Sequence, residues 1–228
     1  MGGVHNLEAN KKTTWSYDSV SNFYEKLANI YSFGMIRVSK DSQLQEMRKG
    51  EKVLYVGVGS GEDAIKAARL GADVTCIDLS PKMLSITKQR FEKESLVGNF
   101  ICDDITKYEN EGYFDVVTAN YFLNNFSKTA MLSILQHLTT LLKQNGKLMI
   151  ADFVAPSNNV VVRAFQKLNY YIAVTFFWLA RVAPFHKMQD YSQYFSKIGL
   201  KLDKVSYMRF MRIGPITYGS ITGVKISK

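Results

Sequence analysis

Residue types that build metal sites and disulfide frameworks are scarce in this sequence. It contains two cysteines, Cys76 and Cys102, and three scattered histidines, with no CxxC pair and no Cys/His cluster. Two isolated thiols in apolar surroundings are typical of small buried residues in a reducing compartment rather than of a disulfide framework or a zinc site. We therefore predict that the protein binds no metal ion.

Long apolar runs and blocks of like charge are missing as well. The most apolar stretch, Tyr170–Ala180, is about half as long as the roughly 20 residues that span a bilayer. Residues 1–14 are polar and lack the apolar core of a secretory signal. We expect a cytoplasmic protein, with peripheral attachment to a membrane as the alternative.

The formal net charge of +9 favours an anionic partner, either a nucleic acid or an anionic membrane surface. The basic residues are spread thinly, however, and no nucleic-acid-binding signature is recognisable. We therefore expect no nucleic acid partner. A mildly basic, solvated surface is the other interpretation of this charge.

The length of 228 residues suits one domain with a substantial core rather than two domains. We predict a flexible tail at residues 1–14 and a single domain at 15–228. Within that domain, residues 48–153 form a cofactor-binding core and residues 156–198 form a helical insert or lid.

Apolar periodicity predicts an α/β fold. N-terminal helices are predicted over 15–31 and at Ser39–Met47. Strands are predicted at Lys52–Val58, Asp73–Leu79, Asn99–Cys102, Phe114–Asn120 and Lys147–Phe153, and helices between them at Asp63–Leu70, Lys82–Lys93 and Lys128–Lys143. Two last extended stretches, Lys201–Met208 and Thr217–Ile226, predict a C-terminal hairpin after the hydrophobic helical insert. This order implies a doubly wound, mainly parallel seven-stranded sheet of the Rossmann-like kind.

A glycine-rich turn between the first strand and the next helix is the strongest local signal. Gly57, Gly59 and Gly61 alternate there, and glycine lets a backbone approach a ligand closely in conformations closed to other residues. The G-x-G-x-G spacing differs from the G-x-G-x-x-G of dinucleotide binders, which argues against an NAD-dependent oxidoreductase.

Acidic residues end the second and third strands. Asp78 lies about 20 residues beyond the glycines, where a carboxylate suits a bidentate grip on ribose hydroxyls. The alternative for Asp78 is an N-cap on the following helix. Asp103 or Asp104 ends the third strand, where a carboxylate can accept a hydrogen bond from an adenine amino group. The alternative there is an ordinary turn residue.

In these motifs the sequence resembles the class I S-adenosylmethionine-dependent methyltransferases from Lys52 to about Phe153. The matching segments are Val53–Gly61 for the first motif, Val74–Leu84 for the ribose motif, Phe100–Ile105 for the adenine motif, and Phe114–Phe126 and Leu141–Phe153 for the later strands. Tyr17-Asp18, Phe23-Tyr24 and Asp152-Phe153 are similar to the ubiquinone/menaquinone C-methyltransferases.

The resemblance implies S-adenosylmethionine as cofactor, with the glycines around its methionine part, Asp78 on the ribose and Asp103 on the adenine. The full set of implied cofactor-binding residues is Tyr55, Gly57, Gly59, Gly61, Asp78, Leu79, Met83, Asp103, Asp104, Ile105 and Asn120.

One position departs from the family pattern. The first motif normally starts with an acid where this chain has Tyr55, and a phenol with a reference pKa of about 10 carries no charge at neutral pH. Three outcomes follow: Glu62 or Asp63 holds the methionine ammonium, the cofactor binds weakly, or it is used in an altered way. The segment 121–125 also lacks the histidines common in the family, so no imidazole base can be assigned.

Open α/β sheets bind ligands beyond their strand ends, which makes Asp152, Tyr121 and Asn124 our candidate catalytic residues. Asp152 is the hypothetical proton acceptor. Positioning supplies much of the acceleration, because the sulfonium is already activated. We predict methyl transfer to a small apolar, isoprenoid-like or lipid-like acceptor. The alternatives are transfer of a different group and a non-catalytic cofactor-binding subunit.

The insert Asn159–His186 is rich in apolar and aromatic residues, with bases interspersed. A helix that is apolar on nearly every side must be buried or partly in lipid. One interpretation is an interfacial helix that meets an anionic membrane surface through residues 160–187 and admits a lipid-like acceptor. The other is a lid or a homodimer contact packed on the body of the protein.

Overall fold

The structure, a computed structural model, describes residues 30–179 and 187–226, with only the backbone described at 176–179. Within these ranges the strands are β1 Lys52–Val56, β2 Asp73–Asp78, β3 Asn99–Cys102, β4 Phe114–Thr118, β5 Leu142–Phe153, β6 Leu200–Arg209 and β7 Ile216–Lys225. The α-helices are α1 Met35–Asp41, α2 Glu62–Arg69, α3 Pro81–Lys93, α4 Lys128–Leu141 and α5 Val160–Leu179. Short 3₁₀ helices lie at Leu44–Glu46, Ile105–Lys107, Leu123–Asn125, Ser192–Ile198 and Phe210–Arg212.

The seven strands form one sheet in the order β3-β2-β1-β4-β5-β7-β6. Strands β1 to β5 are parallel, whereas β7 pairs antiparallel with both β5 and β6. The predicted doubly wound, mainly parallel seven-stranded sheet and its terminal hairpin are therefore confirmed. The strand order reverses between β1 and β4, and ligands of such sheets bind beyond the carboxyl ends at this point.

Both faces of the sheet are covered, because successive residues of a strand point to opposite sides. On one face Leu54 and Val56 of β1 pack in a core with Leu135 and Leu138 of α4. On the other face Val53 and Tyr55 pack in a core with residues of α2 and α3. Cys76 is buried as predicted, whereas Cys102 is exposed because β3 is an edge strand.

A third cluster of buried side chains lies beyond the carboxyl end of β5. Phe153, Tyr170 and Tyr218 form its centre, and the ring of Phe153 stands 5.1 Å from Tyr170 and 5.2 Å from Tyr218 between centroids. Met35 of α1, Ala173 of α5 and Met208 of β6 complete it. We call these six residues the aromatic cluster.

Several predicted boundaries are wrong. The helix predicted at Ser39–Met47 is instead α1, which starts after Gly34 in a left-handed conformation, followed by a short 3₁₀ helix. The helix predicted at Lys128–Lys143 ends at Leu141, because Leu142 already pairs with Phe114 of β4. The predicted tail at 1–14 and nearly all of the helix predicted over 15–31 lie outside the described residues.

The insert contains one long helix, α5, and ends in the 3₁₀ helix Ser192–Ile198. Residues 187–191 between them are not helical, so the helical insert predicted over 156–198 is helical only in part, and residues 180–186 lie outside the described ranges. None of the helices in the described part of the chain has the length and apolar character needed to cross a membrane.

Candidate functional site

The glycine turn follows β1 with all three glycines at positive φ. A Cβ atom at Gly57 would lie 2.4 Å from the ring of Phe122, and one at Gly61 would lie 2.4 Å from the methyl group of Thr87. At Gly59 a Cβ would meet no atom within 4 Å. Packing therefore requires glycine at Gly57 and Gly61, whereas Gly59 faces open space where a ligand can approach the backbone.

Asp78, the last residue of β2, bonds the turn with one oxygen of its carboxylate and the N-cap of α3 with the other. Oδ2 accepts a hydrogen bond from the backbone N–H of Gly59 at 3.0 Å, and Oδ1 accepts one from Ser80 at 2.9 Å. The N-cap of α3 is Ser80, whose Oγ accepts from the N–H of Met83 at 3.2 Å. The N-cap interpretation of Asp78 is therefore wrong.

Helix α3 fixes the turn from its other side through two side chains that the sequence analysis missed. Thr87 Oγ1 donates to the carbonyl of Gly59 at 2.8 Å, and Arg90 Nη1 donates to the carbonyl of Ser60 at 3.0 Å. These bonds hold Gly59 by its carbonyl and, through Asp78, by its N–H. The turn is thus rigid at the residue that faces open space.

The end of β3 separates the two candidate acids for adenine. Asp104 Oδ1 accepts from the N–H of Thr106 at 3.0 Å and caps the 3₁₀ helix Ile105–Lys107, as the turn-residue alternative predicts. Asp103 is exposed, and its Oδ1 accepts from the N–H of Asp104 at 2.7 Å. Asp103 is therefore the better placed of the two for an adenine amino group.

The apolar residues assigned to the cofactor divide by exposure. Leu79, directly after Asp78, is an exposed apolar side chain at the ends of β2 and β3. Met83 and Ile105 are buried, so their side chains support the strand ends from within the core.

Tyr55 is buried in the core beneath α2. Its hydroxyl donates to the carbonyl of Asp63 at 3.3 Å and lies 3.7 Å from Met47 Sδ. Burial, followed by the nearby charge of Asp63, raises the pKa of this phenol well above its ordinary value. The neutral side chain supports the start of α2 from inside, which corrects its assignment as a cofactor contact.

Asp63 brings a buried negative charge to the same end of the sheet. Its side chain is 6% exposed; Oδ2 accepts from Asn120 Nδ2 at 3.0 Å, and Oδ1 from Lys40 Nζ at 3.1 Å. Glu62 instead forms ion pairs with Arg37 and Lys66, both at 3.4 Å. Of the two acids proposed for the methionine ammonium, Asp63 is the one whose carboxylate bonds the side chain of a predicted site residue, Asn120.

Asn120 is held by a paired amide that the sequence did not reveal. Its Nδ2 donates to Gln43 Oε1 at 2.9 Å, and its Oδ1 accepts from Gln43 Nε2 at 2.9 Å and from the N–H of Ala151 at 2.9 Å. This side chain thus joins the ends of β4 and β5 to the segment after α1, and it orients Asp63.

Asp152 lies in a second polar group at the end of β5. It is 5% exposed, and its Oδ1 accepts from Asn124 Nδ2 at 3.0 Å and from the N–H of Phe153 at 2.8 Å. Oδ2 accepts from the hydroxyl of Tyr191 at 2.7 Å. Burial raises the pKa of Asp152 from 3.8 to about 6, although the three hydrogen bonds lower it. A carboxylate with such a pKa suits proton transfer near neutral pH.

The structure therefore brings Asp152 and Asn124 together, as predicted for catalytic candidates, and adds Tyr191. No sequence motif marked Tyr191, which lies in the insert directly before the 3₁₀ helix Ser192–Ile198. Tyr121 lies apart from this group, in edge contact with Phe153, and its hydroxyl is 2.8 Å from Ser39 Oγ. Its φ of 52° is unusual for a bulky residue, and such strain often marks functional sites.

The described residues contain no group of three or more His, Cys, Asp or Glu side chains that could hold a metal ion. The polar groups around the turn are instead carboxylates, amides and backbone N–H groups. These suit an organic ligand with hydroxyl, amino and ammonium donors.

Comparison with known proteins finds methyltransferases to which this chain is similar. A family model described as a methyltransferase domain matches residues 53–146. The ubiquinone/menaquinone biosynthesis C-methyltransferase UbiE of Pseudomonas putida is 29% identical over 168 residues, which cover 70% of this chain and 65% of that protein. UbiE of Francisella philomiragia is 25% identical over 174 residues, covering 72% and 68%. The chain thus spans slightly less than two thirds of the first of these relatives.

Solved structures share the fold at lower identity. The 1,6-didemethyltoxoflavin-N1-methyltransferase of Burkholderia thailandensis was solved with bound 1,6-didemethyltoxoflavin and S-adenosylhomocysteine. It has a TM-score of 0.67 at 16% identity, and the match covers 100% of this chain and 92% of that one. Magnesium protoporphyrin IX methyltransferase of Synechocystis, solved with S-adenosylhomocysteine, has a TM-score of 0.65 at 17% identity, covering 89% and 87%.

Proposed function

We propose that the chain is a class I S-adenosylmethionine-dependent methyltransferase that transfers a methyl group to a small apolar acceptor of the quinol or isoprenoid kind. The match of residues 53–146 to a methyltransferase-domain model and the similarity to UbiE support this proposal. The observation that carries the proposal is the open backbone of Gly59, bonded by the carboxylate of Asp78 at the end of β2, with the buried carboxylate of Asp63 in the first turn of α2 after the glycine turn. The relatives named as C-methyltransferases of quinone biosynthesis support the acceptor class.

The residues around the turn fit S-adenosylmethionine by their chemistry. Asp78, fixed by two backbone N–H groups, would hold the ribose hydroxyls, and exposed Asp103 would accept from the adenine amino group. Leu79 offers an apolar side chain between these two acids. When bound, the cofactor supplies an activated methyl group on a sulfonium.

Asp63 carries the negative charge that Tyr55 lacks. A free amino acid moiety has an ammonium and a carboxylate, and the Lys40–Asp63 ion pair offers one charge of each sign at the end of the glycine turn. We assign the ammonium to Asp63 and the carboxylate to Lys40. Since Asp63 is almost fully buried, its charge is poorly screened and its hydrogen bonds to an ammonium are strong.

Binding of two related ligands tests this assignment. S-Adenosylhomocysteine carries the amino acid moiety, whereas methylthioadenosine has the same nucleoside without it. Asp63→Asn should weaken S-adenosylhomocysteine binding by roughly 10- to 100-fold, the usual loss for a charged hydrogen bond, and should leave methylthioadenosine affinity unchanged. Glu62→Gln is the matched control, because it removes a neighbouring acid that faces Arg37 and Lys66. An equal loss for both ligands, or no loss for either, would contradict the assignment.

We assign Asp152 as the base that takes a proton from the hydroxyl or the ring carbon of the substrate that receives the methyl group. The carboxylate is held by Asn124, and its bond from Tyr191 gives a path by which a proton can reach it through the phenol. Its raised pKa makes it a stronger base than an ordinary carboxylate. In this role Asn124 is a positioning residue.

The direct test of function uses purified protein, methyl-labelled S-adenosylmethionine and two naphthoquinols, one with an isoprenoid side chain and one without. We expect methyl label in the organic phase with both naphthoquinols, and a lower KM for the one that carries the isoprenoid side chain. Binding of S-adenosylhomocysteine with no labelled product from either quinol would contradict the proposed acceptor class.

A further inference from the structure

The outward side of α5 is apolar, although its inward side already buries the apolar residues Tyr170 and Ala173. Val161, Leu168 and Ile172 are 77%, 62% and 52% exposed, at steps that place them on one side of the helix. The polar residues Gln166 and Asn169 face inward and are buried. Surface helices ordinarily bury the apolar stripe and expose the polar one, so this stripe requires a partner of its own.

The tip between β6 and β7 continues this surface. Met211 and Ile213 are exposed there, and Ile213 reaches 88%. The ring of Phe210 at the same tip lies 5.3 Å from Phe165 of α5 and 5.4 Å from Phe33, which is also exposed. These ring contacts join three separate segments. We call the exposed members Phe33, Val161, Leu168, Ile172, Met211 and Ile213 the apolar face.

The charge on α5 and at the tip has one sign. Residues 153–189 and 204–228 contain no Asp or Glu, and together they supply α5, the tip and all of β7. Arg163 and Lys167 lie on α5, and Arg209 and Arg212 lie exposed at the tip. Exposed apolar side chains beside these bases match a bilayer surface, where apolar side chains enter the acyl boundary and bases meet lipid phosphates.

A second copy of the chain fits this surface less well. A twofold dimer interface pairs the same patch with itself, so the bases of one copy would face the bases of the other. We propose that the apolar face docks on a bilayer containing anionic lipid. The aromatic cluster lies directly beneath α5 through Tyr170 and reaches the end of β5 through Phe153. The entry route rests on the function proposed above: a methyl acceptor carried in the lipid would enter from this side. The docking itself does not depend on turnover.

Co-sedimentation with vesicles tests the docking. The natural chain should pellet with phosphatidylcholine vesicles that contain a third phosphatidylglycerol, and far less with pure phosphatidylcholine. Ile213→Asp should lower the partition coefficient by at least about tenfold, and Arg212→Gln by about fivefold. Val97→Asp is the matched control, because Val97 is 89% exposed and precedes β3 at the opposite edge of the sheet; it should change binding by less than about twofold.

S-Adenosylhomocysteine affinity, measured on every variant, reports that the fold is retained and separates a failure of docking from a failure of the proposed function. Three results would overturn the proposal. The natural chain stays in the supernatant with anionic vesicles; Ile213→Asp binds as well as Val97→Asp; or the chain is a dimer that Ile213→Asp dissociates while vesicle binding is absent. The last result would assign the apolar face to a protein partner.

Discussion

Replacing Asp152 with asparagine removes a buried charge while keeping the shape of the side chain. The carboxylate is nearly inaccessible to water, and burial raises its pKa from 3.8 to about 6 against the effect of its three hydrogen bonds. The hydroxyls of Tyr191 and Tyr170 are the titratable groups that face it, and burial raises the pKa of both. Asp152 is therefore the group that titrates here near neutral pH.

Whether the unfolding free energy rises or falls with pH depends on whether the folded or the unfolded chain binds the proton of Asp152 more tightly. Because the folded-state pKa is the higher one, the folded chain binds an extra proton between about pH 4 and pH 6, so the unfolding free energy falls as pH rises through that range. With these two pKa values, the natural chain loses about 1.4 kcal/mol between pH 5 and pH 8 through this group. The amide of Asp152→Asn does not titrate, so the natural chain should gain that amount over the variant on going from pH 8 to pH 5.

Urea denaturation followed by circular dichroism at the two pH values measures this difference. Asp115→Asn is the contrasting control, since Asp115 accepts from Lys143 Nζ at 2.7 Å and from the N–H of Lys52 at 2.9 Å. Burial acts to raise the pKa of Asp115, but these bonds outweigh it and the net pKa is lowered, so its contribution is lost as pH falls. A difference in unfolding free energy between the natural chain and Asp152→Asn that is equal at both pH values would refute the reasoning.

If Asp152 accepts the proton during methyl transfer, Asp152→Asn should also lower turnover by roughly 100-fold or more and leave the affinity for S-adenosylhomocysteine unchanged.

Four further substitutions test the glycine turn and its supports. Gly57→Ala should lower the unfolding free energy by on the order of 2–3 kcal/mol in urea titrations, because its Cβ would collide with Phe122. Gly59→Ala places its Cβ in open space and should lower the unfolding free energy by only about 1 kcal/mol. Its main effect should be weaker S-adenosylhomocysteine binding, measured by calorimetry. Tyr55→Phe should cost about 1 kcal/mol and leave that affinity unchanged, whereas a tenfold weaker affinity would show that the phenol contacts the ligand. Ser80→Ala should cost about 1 kcal/mol in thermal unfolding, because the N–H of Met83 loses its acceptor.

The sheet could be predicted from the sequence because parallel strands buried on both faces read as short apolar runs between helical periods. The boundary between α4 and β5 could not. No glycine or proline at Leu141-Leu142 marks the end of the helix. The helix ends there because Leu142 pairs with Phe114 in a neighbouring strand. A contact between distant segments decides that position, and local periodicity does not report it.

The candidate site divides in the same way. Gly59 and Asp78 could be predicted because a close approach to a ligand and a carboxylate at a strand end leave marks at fixed spacing. Gln43 and Tyr191 could not, because their hydrogen bonds reach Asn120 and Asp152 across long stretches of chain. Their roles follow from packing alone.

Tyr55 shows what a departure from a family pattern can predict. The missing acid implied that another charge was needed, and Asp63 was one of two residues close enough in sequence to supply it. The structure places Asp63 beside Asn120 and Glu62 among bases. An altered use of the cofactor was suggested by the phenol at this position. Because the phenol is buried in the core, that suggestion loses its support.

Product analysis with S-adenosylmethionine labelled as the trideuteromethyl form tests methyl transfer most directly. Incubation with the isoprenoid naphthoquinol should give a product heavier by one trideuteromethyl group in place of a hydrogen, together with an equal amount of S-adenosylhomocysteine. Methylthioadenosine as the co-product, with an unlabelled adduct on the quinol, would contradict methyl transfer. Tight S-adenosylhomocysteine binding with no co-product from any acceptor would identify a non-catalytic cofactor-binding subunit instead.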